Sequence, residues 1–142
     1  MQIQSLLSII QLIVDLGLVV LIWMVQLIVY PSFLYYQKKN LLHWHQKYTN
    51  RIAIIVVPLM LIQLILAAFF IYLEINFKNA LNLFILVFLW VYTFTNFAPL
   101  HFKISEGKFE NTLLKLLVKR NWYRTTLWTI LFLINFMYFI MI

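Results

Sequence analysis

Four long runs of apolar residues divide the chain, and shorter polar or basic segments separate them. The runs cover about residues 8–30, 52–73, 80–97 and 124–142. At about 1.5 Å of rise per helical residue, each run is long enough to cross a hydrocarbon core of roughly 30 Å. Backbone groups inside lipid must find hydrogen bonds within their own segment, which favours helices. The pattern predicts an all-α, integral membrane four-helix bundle in which residues 1–142 form a single domain.

A shorter periodic segment lies between the third and fourth runs. Its apolar residues recur at helical spacing, and charged residues occupy its other faces, which is typical of an amphipathic helix lying on a membrane surface. Residues 105–107 predict the turn that precedes it. The apolar positions of this predicted interfacial helix are Phe109, Leu113, Leu116 and Leu117.

The composition agrees with a membrane protein and excludes several other classes. Apolar types make up 65% of the residues and charged types 11%, whereas soluble domains have roughly 25% charged residues. The net charge is +7, but the cations lie beside the apolar runs instead of forming a soluble basic face, which argues against a nucleic-acid partner. Cysteine is absent, so disulfides and thiolate metal sites are excluded.

The placement of the cations predicts an orientation. Ten of the eleven Lys and Arg residues fall in residues 38–51 and 103–124, and the other is Lys78, in a short connection that also contains Glu74. Cations gather on the cytoplasmic side of membrane proteins. We therefore expect a bacterial inner membrane protein with both long basic connections in the cytoplasm, near anionic lipid head groups, and with both termini outside. No signal-peptide pattern precedes the first run, which we expect to be retained.

Polar residues of the first run share one helical face. Because a charge within a membrane is costly and is usually paired, Asp15 indicates that this face looks into the bundle, toward a second copy or toward a partner protein. A hydrogen-bonded structural role is one interpretation of Asp15, and a proton or ion path is another. The stripe consists of Gln4, Ser8, Gln11, Asp15 and Gln26. The candidate partners of Asp15 are Gln63, Lys78, Asn82 and Asn135.

The histidines lie in the two basic segments. His43 and His45 are turned about 200° from one another on a helix, and His45 shares its face with Leu41 and Tyr48, so we expect His45 to point inward. His101 lies at the same boundary. A pair of His45 and His101 has the ligand chemistry of a haem or metal site, whereas the alternative is ordinary hydrogen-bonded histidines. No metalloprotease, phosphate-loop or dinucleotide motif appears, so no metal site is assigned and the cofactor stays unknown.

Pro31 and Pro99 occupy similar places in two hairpins of similar plan. Each hairpin has an apolar run, a proline, a basic segment and then an arginine that opens the next run, Arg51 in one and Arg124 in the other. Such a plan indicates an internal duplication. We expect both prolines to end or bend their helices near the interface.

Two short segments carry a resemblance to a known family. Residues 93–101 read Thr-Phe-Thr-Asn-Phe-Ala-Pro-Leu-His, and residues 121–125 read Asn-Trp-Tyr-Arg-Thr. They resemble the end of the third span and the start of the fourth in the anthrone-oxygenase-like family of small four-helix membrane proteins. His101 stands where that family more often has asparagine. The resemblance implies a polar cluster at the inner membrane boundary that comprises Asn96, His101, Trp122 and Arg124.

That cluster defines the candidate site residues. If a lipophilic aromatic substrate enters from the bilayer, Trp122 would stack on it and Asn96 would help to bind it. His45 or His101 would move a proton, and Arg124 would hold an enolate-like oxygen. His45, His101 and Arg124 are thus the candidate catalytic residues, and Asn96, Trp122 and Arg124 the candidate substrate-binding residues.

Three functions are compatible with these features. The first interpretation is a small structural or accessory membrane protein without an assignable reaction, because the spans, anchors and surface helix suffice for it. The alternative is a membrane-embedded oxygenase or oxidoreductase acting on a lipophilic substrate at the inner-face cluster. A second alternative is a proton or ion pathway through Asp15. The sequence does not decide whether the protein is an enzyme, and the substrate, oligomeric state and partner proteins stay open.

Overall fold

A computed structural model describes residues 2–141. These residues form four long helical segments, which we call spans 1 to 4, and short turns join them. Span 1 comprises α1 (Gln2–Met24), a π-helical turn (Val25–Val29), α2 (Tyr30–Ser32) and a 3-10 turn (Phe33–Tyr35). Span 2 is α3 (Lys38–Leu73). Span 3 comprises α4 (Phe77–Tyr92), a second π-helical turn (Thr93–Phe97) and α5 (Ala98–Ser105). Span 4 is α6 (Asn111–Met141).

This architecture confirms the predicted all-α four-helix bundle. Each span is long and apolar enough to cross a membrane, and the described residues contain no strand. Met1 and Ile142, the predicted last residue of the fourth run, lie outside the described residues.

The helices continue well past the predicted apolar runs at one end of the bundle. Only Tyr36 and Gln37 join spans 1 and 2, and residues 106–110 join spans 3 and 4. The prediction of two long basic connections was wrong, because their cations lie on helices whose other faces stay apolar. A 36-residue helix such as α3 is about 54 Å long, well beyond a hydrocarbon core. We call this cation-rich end, residues 31–51 and 98–124, the basic end, and the opposite one, with residues 74–76, the far end.

The predicted interfacial helix is not a separate element, because it forms the first turns of α6. Neither proline nor glycine interrupts residues 108–141, and one buried stripe continues through the helix. Its apolar face therefore packs on the bundle, with Leu117 buried and Leu116 facing outward. The predicted turn before it is confirmed, since Gly107 has a φ of 72° and its N–H donates to the carbonyl of Ile104, as in a Schellman cap. The stripe is Leu114, Leu117, Asn121, Arg124, Trp128, Leu131 and Asn135.

Two apolar clusters hold the four spans together. The first lies in the middle of the bundle and includes Leu18, Leu86 and Leu89. Because lipid tails are as apolar as leucine, close van der Waals packing and polar contacts must hold helices together at this level. The second cluster lies at the basic end and joins Phe33, Leu41 and Ile104 to α6. This second cluster makes the basic end a packed extension of the bundle.

Neither Pro31 nor Pro99 ends its helix. In both spans a π-helical turn is followed by one residue and then by the proline. The N–H of Tyr30 donates to the carbonyl of Val25, and the N–H of Ala98 donates to that of Thr93, both across five residues. A proline has no N–H and its ring collides with the carbonyl four residues earlier. The wider π-helical turn accommodates both defects and lets the helix continue. Of the two predicted effects, an end or a bend of the helix, the end is therefore wrong for both prolines.

Truncation of Leu117 tests the packing of the first turns of α6. Leu117 is 0% exposed whereas its neighbour Leu116 is 36% exposed. We expect Leu117→Ala to lower the free energy of unfolding by about 2–5 kcal/mol, because it leaves a cavity. Leu116→Ala is the matched control and should have a small effect. Unfolding in mild detergent, followed by circular dichroism, measures both. Equal losses would indicate a surface helix without a buried face.

Candidate functional site

A cavity of about 350 Å³ lies inside the bundle where the membrane-length part meets the basic end. Both π-helical turns border it, through Val25 on span 1 and through Thr93 and Phe97 on span 3. Aliphatic side chains of span 2, among them Ile52 and Val56, form the opposite wall. Its volume falls within the range of roughly 300–1,000 Å³ that is typical of small-molecule sites. The wall is thus largely apolar, as expected for a lipophilic ligand.

Three polar atoms on residues of this wall lack a hydrogen-bond partner. Within the described part of the chain, the buried side-chain atoms without a hydrogen bond include Trp90 Nε1, Thr93 Oγ1 and Arg124 Nε, and all three residues line the cavity. The hydroxyl of Thr95, two residues further along, does donate to the carbonyl four residues earlier. A threonine in this helical segment therefore need not leave its hydroxyl unpaired, as Thr93 does. Buried donors are rarely left unpaired without a reason. Three of them around one cavity indicate a ligand that carries hydrogen-bond acceptors.

Arg124, one of the predicted site residues, lines the cavity and carries a positive charge. It is 8% exposed, and its guanidinium carbon lies 4.3 Å from the centre of the Phe97 ring and 5.3 Å from that of Trp128. The ring faces attract the cation and hold its plane. No carboxylate forms an ion pair with Arg124 among the described residues. A buried cation without a counter-charge favours an anionic or strongly polarised oxygen on a ligand.

A chain of hydrogen bonds leads from the cavity to the surface of the basic end. The hydroxyl of Tyr30 lies 3.0 Å from His101 Nε2, and His101 Nδ1 lies 2.8 Å from His45 Nε2. His45 Nδ1 lies 3.1 Å from the hydroxyl of Ser105, a residue that is partly exposed. Each hydroxyl and each imidazole in this series can both donate and accept a hydrogen bond. When a proton enters at one end and another leaves at the other, every donor becomes an acceptor, and all three hydrogen bonds reverse direction. Such a chain has the chemistry of a proton relay.

The predicted orientation of the histidines is confirmed. His45 is fully buried, whereas His43 is exposed. His45 and His101 were the candidate ligands of a haem or metal. One nitrogen of each ring is hydrogen-bonded to the other ring, and the remaining nitrogens are hydrogen-bonded to Tyr30 and Ser105. Neither ring therefore offers a free nitrogen to iron in this arrangement. The described residues also contain no group of three or more metal-ligating side chains.

The other predicted substrate-binding residues do not line the cavity. Trp122 is exposed and its ring packs edge-on against that of Trp23, with 5.7 Å between the ring centres. Asn96 lies on the outer side of its π-helical turn, where its amide donates to the hydroxyl of Thr95. Phe97, the next residue, lines the cavity, and Asn96 does not. Of the predicted cluster, the structure brings together His101 and Arg124, with His45 behind them.

The intramembrane polar residues form two networks inside the bundle. Asp15 accepts hydrogen bonds from Gln63 Nε2 at 2.6 Å and from Asn135 Nδ2 at 2.7 Å, which confirms two of its predicted partners. Gln26 accepts from Asn121 Nδ2 at 2.9 Å. Gln11 is buried as well. Asp15 and Gln26 therefore find hydrogen-bond partners within one chain.

Sequence reasoning missed four residues of the cavity and its relay. In the sequence these four look like ordinary core or interface residues, because a single tyrosine, tryptophan, threonine or serine in an apolar helix is not part of a recognisable motif. A signal for one of them was present, since Tyr30 directly precedes Pro31 and therefore lies where a π-helical turn changes the helical face. The missed residues are Tyr30, Trp90, Thr93 and Ser105.

Comparison of the chain with protein families, with curated proteins and with solved structures finds no match. The case for a function thus depends on the geometry of the site.

Replacement of His45 tests the buried relay. We expect His45→Ala to lower the free energy of unfolding by about 2–4 kcal/mol, because it removes a fully buried ring and leaves His101 Nδ1 and the Ser105 hydroxyl unpaired. His43→Ala is the control, since His43 is exposed two residues earlier on the same helix. Denaturant unfolding in detergent compares the two. A similar change in both variants would contradict the hydrogen-bonded chain.

Proposed function

We propose that this chain is an integral membrane protein that binds a lipophilic molecule with an anionic or enolate-like oxygen, and that it exchanges a proton with that molecule. The observation that carries the proposal is the set of three unpaired buried donors, from Trp90, Thr93 and Arg124, around one largely apolar cavity. An acceptor-rich group on the ligand would satisfy these donors, and an apolar body would fill the remaining volume. A purely structural protein has no use for buried donors without partners, because each costs about 1–3 kcal/mol.

The ligand reaches the cavity from the side of the bundle. Val57 on span 2 and Phe94 on span 3 line the cavity and are also exposed on the outer surface. In a membrane that surface faces lipid, where a lipophilic molecule is concentrated. A route between spans 2 and 3 would bring its polar oxygen to Arg124 while its apolar part stays among side chains of similar polarity.

The relay favours a reaction over binding alone. Tyr30 and His101 line the cavity, and the relay continues through His45 to Ser105. In this scheme Arg124 holds the oxygen of the ligand while His101, with Tyr30, takes or gives a proton that is passed on to the basic end. The resemblance of residues 93–101 and 121–125 to the anthrone-oxygenase-like family supports a lipophilic aromatic or enolisable substrate. The reaction class we favour is the oxygenation of such a compound, in which molecular oxygen is the oxidant and the relay removes the proton that the enolisable carbon loses.

The distribution of charge supports the proposed topology. The exposed cations of the basic end include Lys39, Lys47 and Lys119, which would face the cytoplasm and the anionic head groups of a bacterial inner membrane. Span 1 begins and span 4 ends at the far end, so both termini would lie outside. The relay would then exchange its proton with the cytoplasm.

Replacement of Arg124 tests ligand binding. Bromonaphthoic acid is a suitable probe, because its heavy atom quenches the fluorescence of Trp90 and Trp128 in the cavity wall. We expect saturable quenching in the wild-type protein and an affinity at least about tenfold lower in Arg124→Gln, since a charge-assisted hydrogen bond contributes roughly 1.5–3 kcal/mol.

Two controls separate the cavity from general lipid partitioning. Arg120→Gln removes a cation from the same helix outside the cavity and should leave the affinity unchanged. The methyl ester of the probe has no charge and should bind the wild-type protein and Arg124→Gln about equally. The proposal fails if the acid binds Arg124→Gln as tightly as the wild-type protein.

Single cysteines test the topology, because the natural chain contains none. We expect Lys39→Cys, at the basic end, to react with a membrane-impermeant maleimide only after bacterial inner membranes are made permeable. Asn76→Cys, at the far end, should react from outside in intact spheroplasts. The reverse pattern of labelling would place the basic end outside.

A further inference from the structure

Lys78 is the one cation at the far end in the described part of the chain. The other ten Lys and Arg residues lie in residues 38–51 and 103–124, as expected for a protein whose cations gather on one side of a membrane. The ammonium nitrogen of Lys78 lies 4.8 Å from the centre of the Tyr138 ring and 5.5 Å from that of Phe70. No carboxylate forms an ion pair with it among the described residues. Its N–H donors are therefore free to bind a ligand.

A polar cavity of about 540 Å³ lies beside Lys78. Its lining includes Ser8, Gln11 and Asn76. Gln11 is 4% exposed, yet its side-chain amide forms no hydrogen bond with any described residue. Buried amides are rarely left unpaired, and this one can both donate to and accept from a group in the cavity. The cavity thus suits a ligand that carries several oxygen atoms.

Two opposite charges line this cavity without contacting each other. Glu74 directly follows span 2 and is exposed, whereas Lys78 is partly buried in the first turns of span 3. No ion pair joins the two in the described chain. Asp15 does not line the cavity, and its oxygens accept from Gln63 and Asn135 inside the bundle. An anion would meet Glu74 and a cation would meet Lys78, so the cavity best matches a ligand with one charge of each sign.

A second cavity, of about 480 Å³, is an apolar groove between spans 3 and 4. Leu81 lines it from span 3, and exposed residues such as Leu133 line it from span 4. On span 4 the lining extends from Ile130 to Met141, which is about 16 Å at 1.5 Å of rise per residue. That is roughly half of a hydrocarbon core of about 30 Å. The groove therefore has the length of one lipid leaflet.

The polar cavity and the groove meet at Lys78 and Tyr138, which line both. A single molecule can therefore place a charged group in the cavity and an apolar chain in the groove. We propose that the far end binds one zwitterionic phospholipid from the adjacent leaflet. Its phosphate accepts hydrogen bonds from Lys78, its cationic group faces Glu74, and one acyl chain lies in the groove. The unpaired amide of Gln11 bonds the remaining oxygens of the head group.

This site is separate from the cavity at Arg124, and it does not depend on the function proposed there. The same purified protein allows both to be measured. Binding of bromonaphthoic acid should be unchanged in Lys78→Met, so failure of one proposal leaves the other intact.

Native mass spectrometry of the purified, delipidated protein in mild detergent tests the lipid site. The probes are phosphatidylethanolamine and phosphatidylglycerol with the same acyl chains. We expect one phosphatidylethanolamine per chain, bound at least about threefold more tightly than phosphatidylglycerol, because only the first lipid has an ammonium group for Glu74. Equal binding of the two lipids would mean that ordinary annular lipid covers the groove, and would overturn the proposal.

Two charge variants test the contacts of the head group. Lys78→Met should weaken the binding of phosphatidylethanolamine at least about fivefold, whereas Lys119→Met, which removes an exposed lysine of the basic end, should not. Glu74→Gln should abolish the preference for phosphatidylethanolamine, and it decides the matter if Lys78→Met does not fold, because Glu74 is exposed. Full affinity in folded Lys78→Met, or an unchanged preference in Glu74→Gln, would contradict the site.

A bulky side chain in the groove tests the place of the acyl chain. Leu133→Trp should weaken lipid binding at least about fivefold by filling the groove. Ile65→Trp is the control, since Ile65 is exposed on span 2 and lines neither cavity. Glycerophosphoethanolamine, the head group without acyl chains, should displace the lipid only at concentrations at least about a hundredfold higher. Displacement at equal concentrations would show a site for a small zwitterion and would refute lipid binding.

Discussion

The hydrogen bonds to the buried carboxylate of Asp15 fix how the four spans pack. Lipid supplies no water to solvate a polar group, so each polar side chain within the bundle must find its partner on another helix. Gln63 and Asn135 reach the two oxygens of Asp15 from spans 2 and 4, and Asn82 joins from span 3. A helix that slid by one turn would leave several of these groups unpaired. Apolar packing alone is less specific, because leucine packs almost as well against lipid as against leucine.

The two prolines determine the geometry at the other end. Each follows a π-helical turn, and each turn changes the helical face that the next residues present. Span 1 thereby places Tyr30 in the cavity wall, and span 3 places Phe97 and His101 there. The same device at corresponding places in both hairpins supports the internal duplication that the order of runs, prolines and arginines predicts. The two hairpins differ two residues after the proline, where the first has Phe33 and the second has His101.

The sequence predicted the features that follow from the burial of apolar and charged residues. It missed those that depend on which face of a helix a residue occupies. Apolar length specified four helices, and the cost of a buried charge led to two of the partners of Asp15. The long basic connections were mistaken for loops because they contain many polar residues. A helix that extends beyond the membrane is polar on the side that faces water and apolar only on the side that packs on the bundle. Trp122 and Asn96 were assigned to the site from the family resemblance alone, which indicates that a residue lies near a boundary but not which way its side chain faces.

Trp128 physically connects the hydrogen-bond network of Asp15 to the cavity at Arg124. Its indole N–H donates to Gln63 at 3.2 Å and so belongs to the Asp15 network, while its ring lines the cavity and faces the guanidinium of Arg124. The side chain is 1% exposed, and its hydrogen bond to Gln63 limits how far the ring can turn into the cavity without breaking that bond. A shift of Gln63 toward or away from Asp15 would therefore move the ring relative to Arg124, or break the hydrogen bond. The Asp15 network and the guanidinium of Arg124 thus contact one buried side chain from two sides.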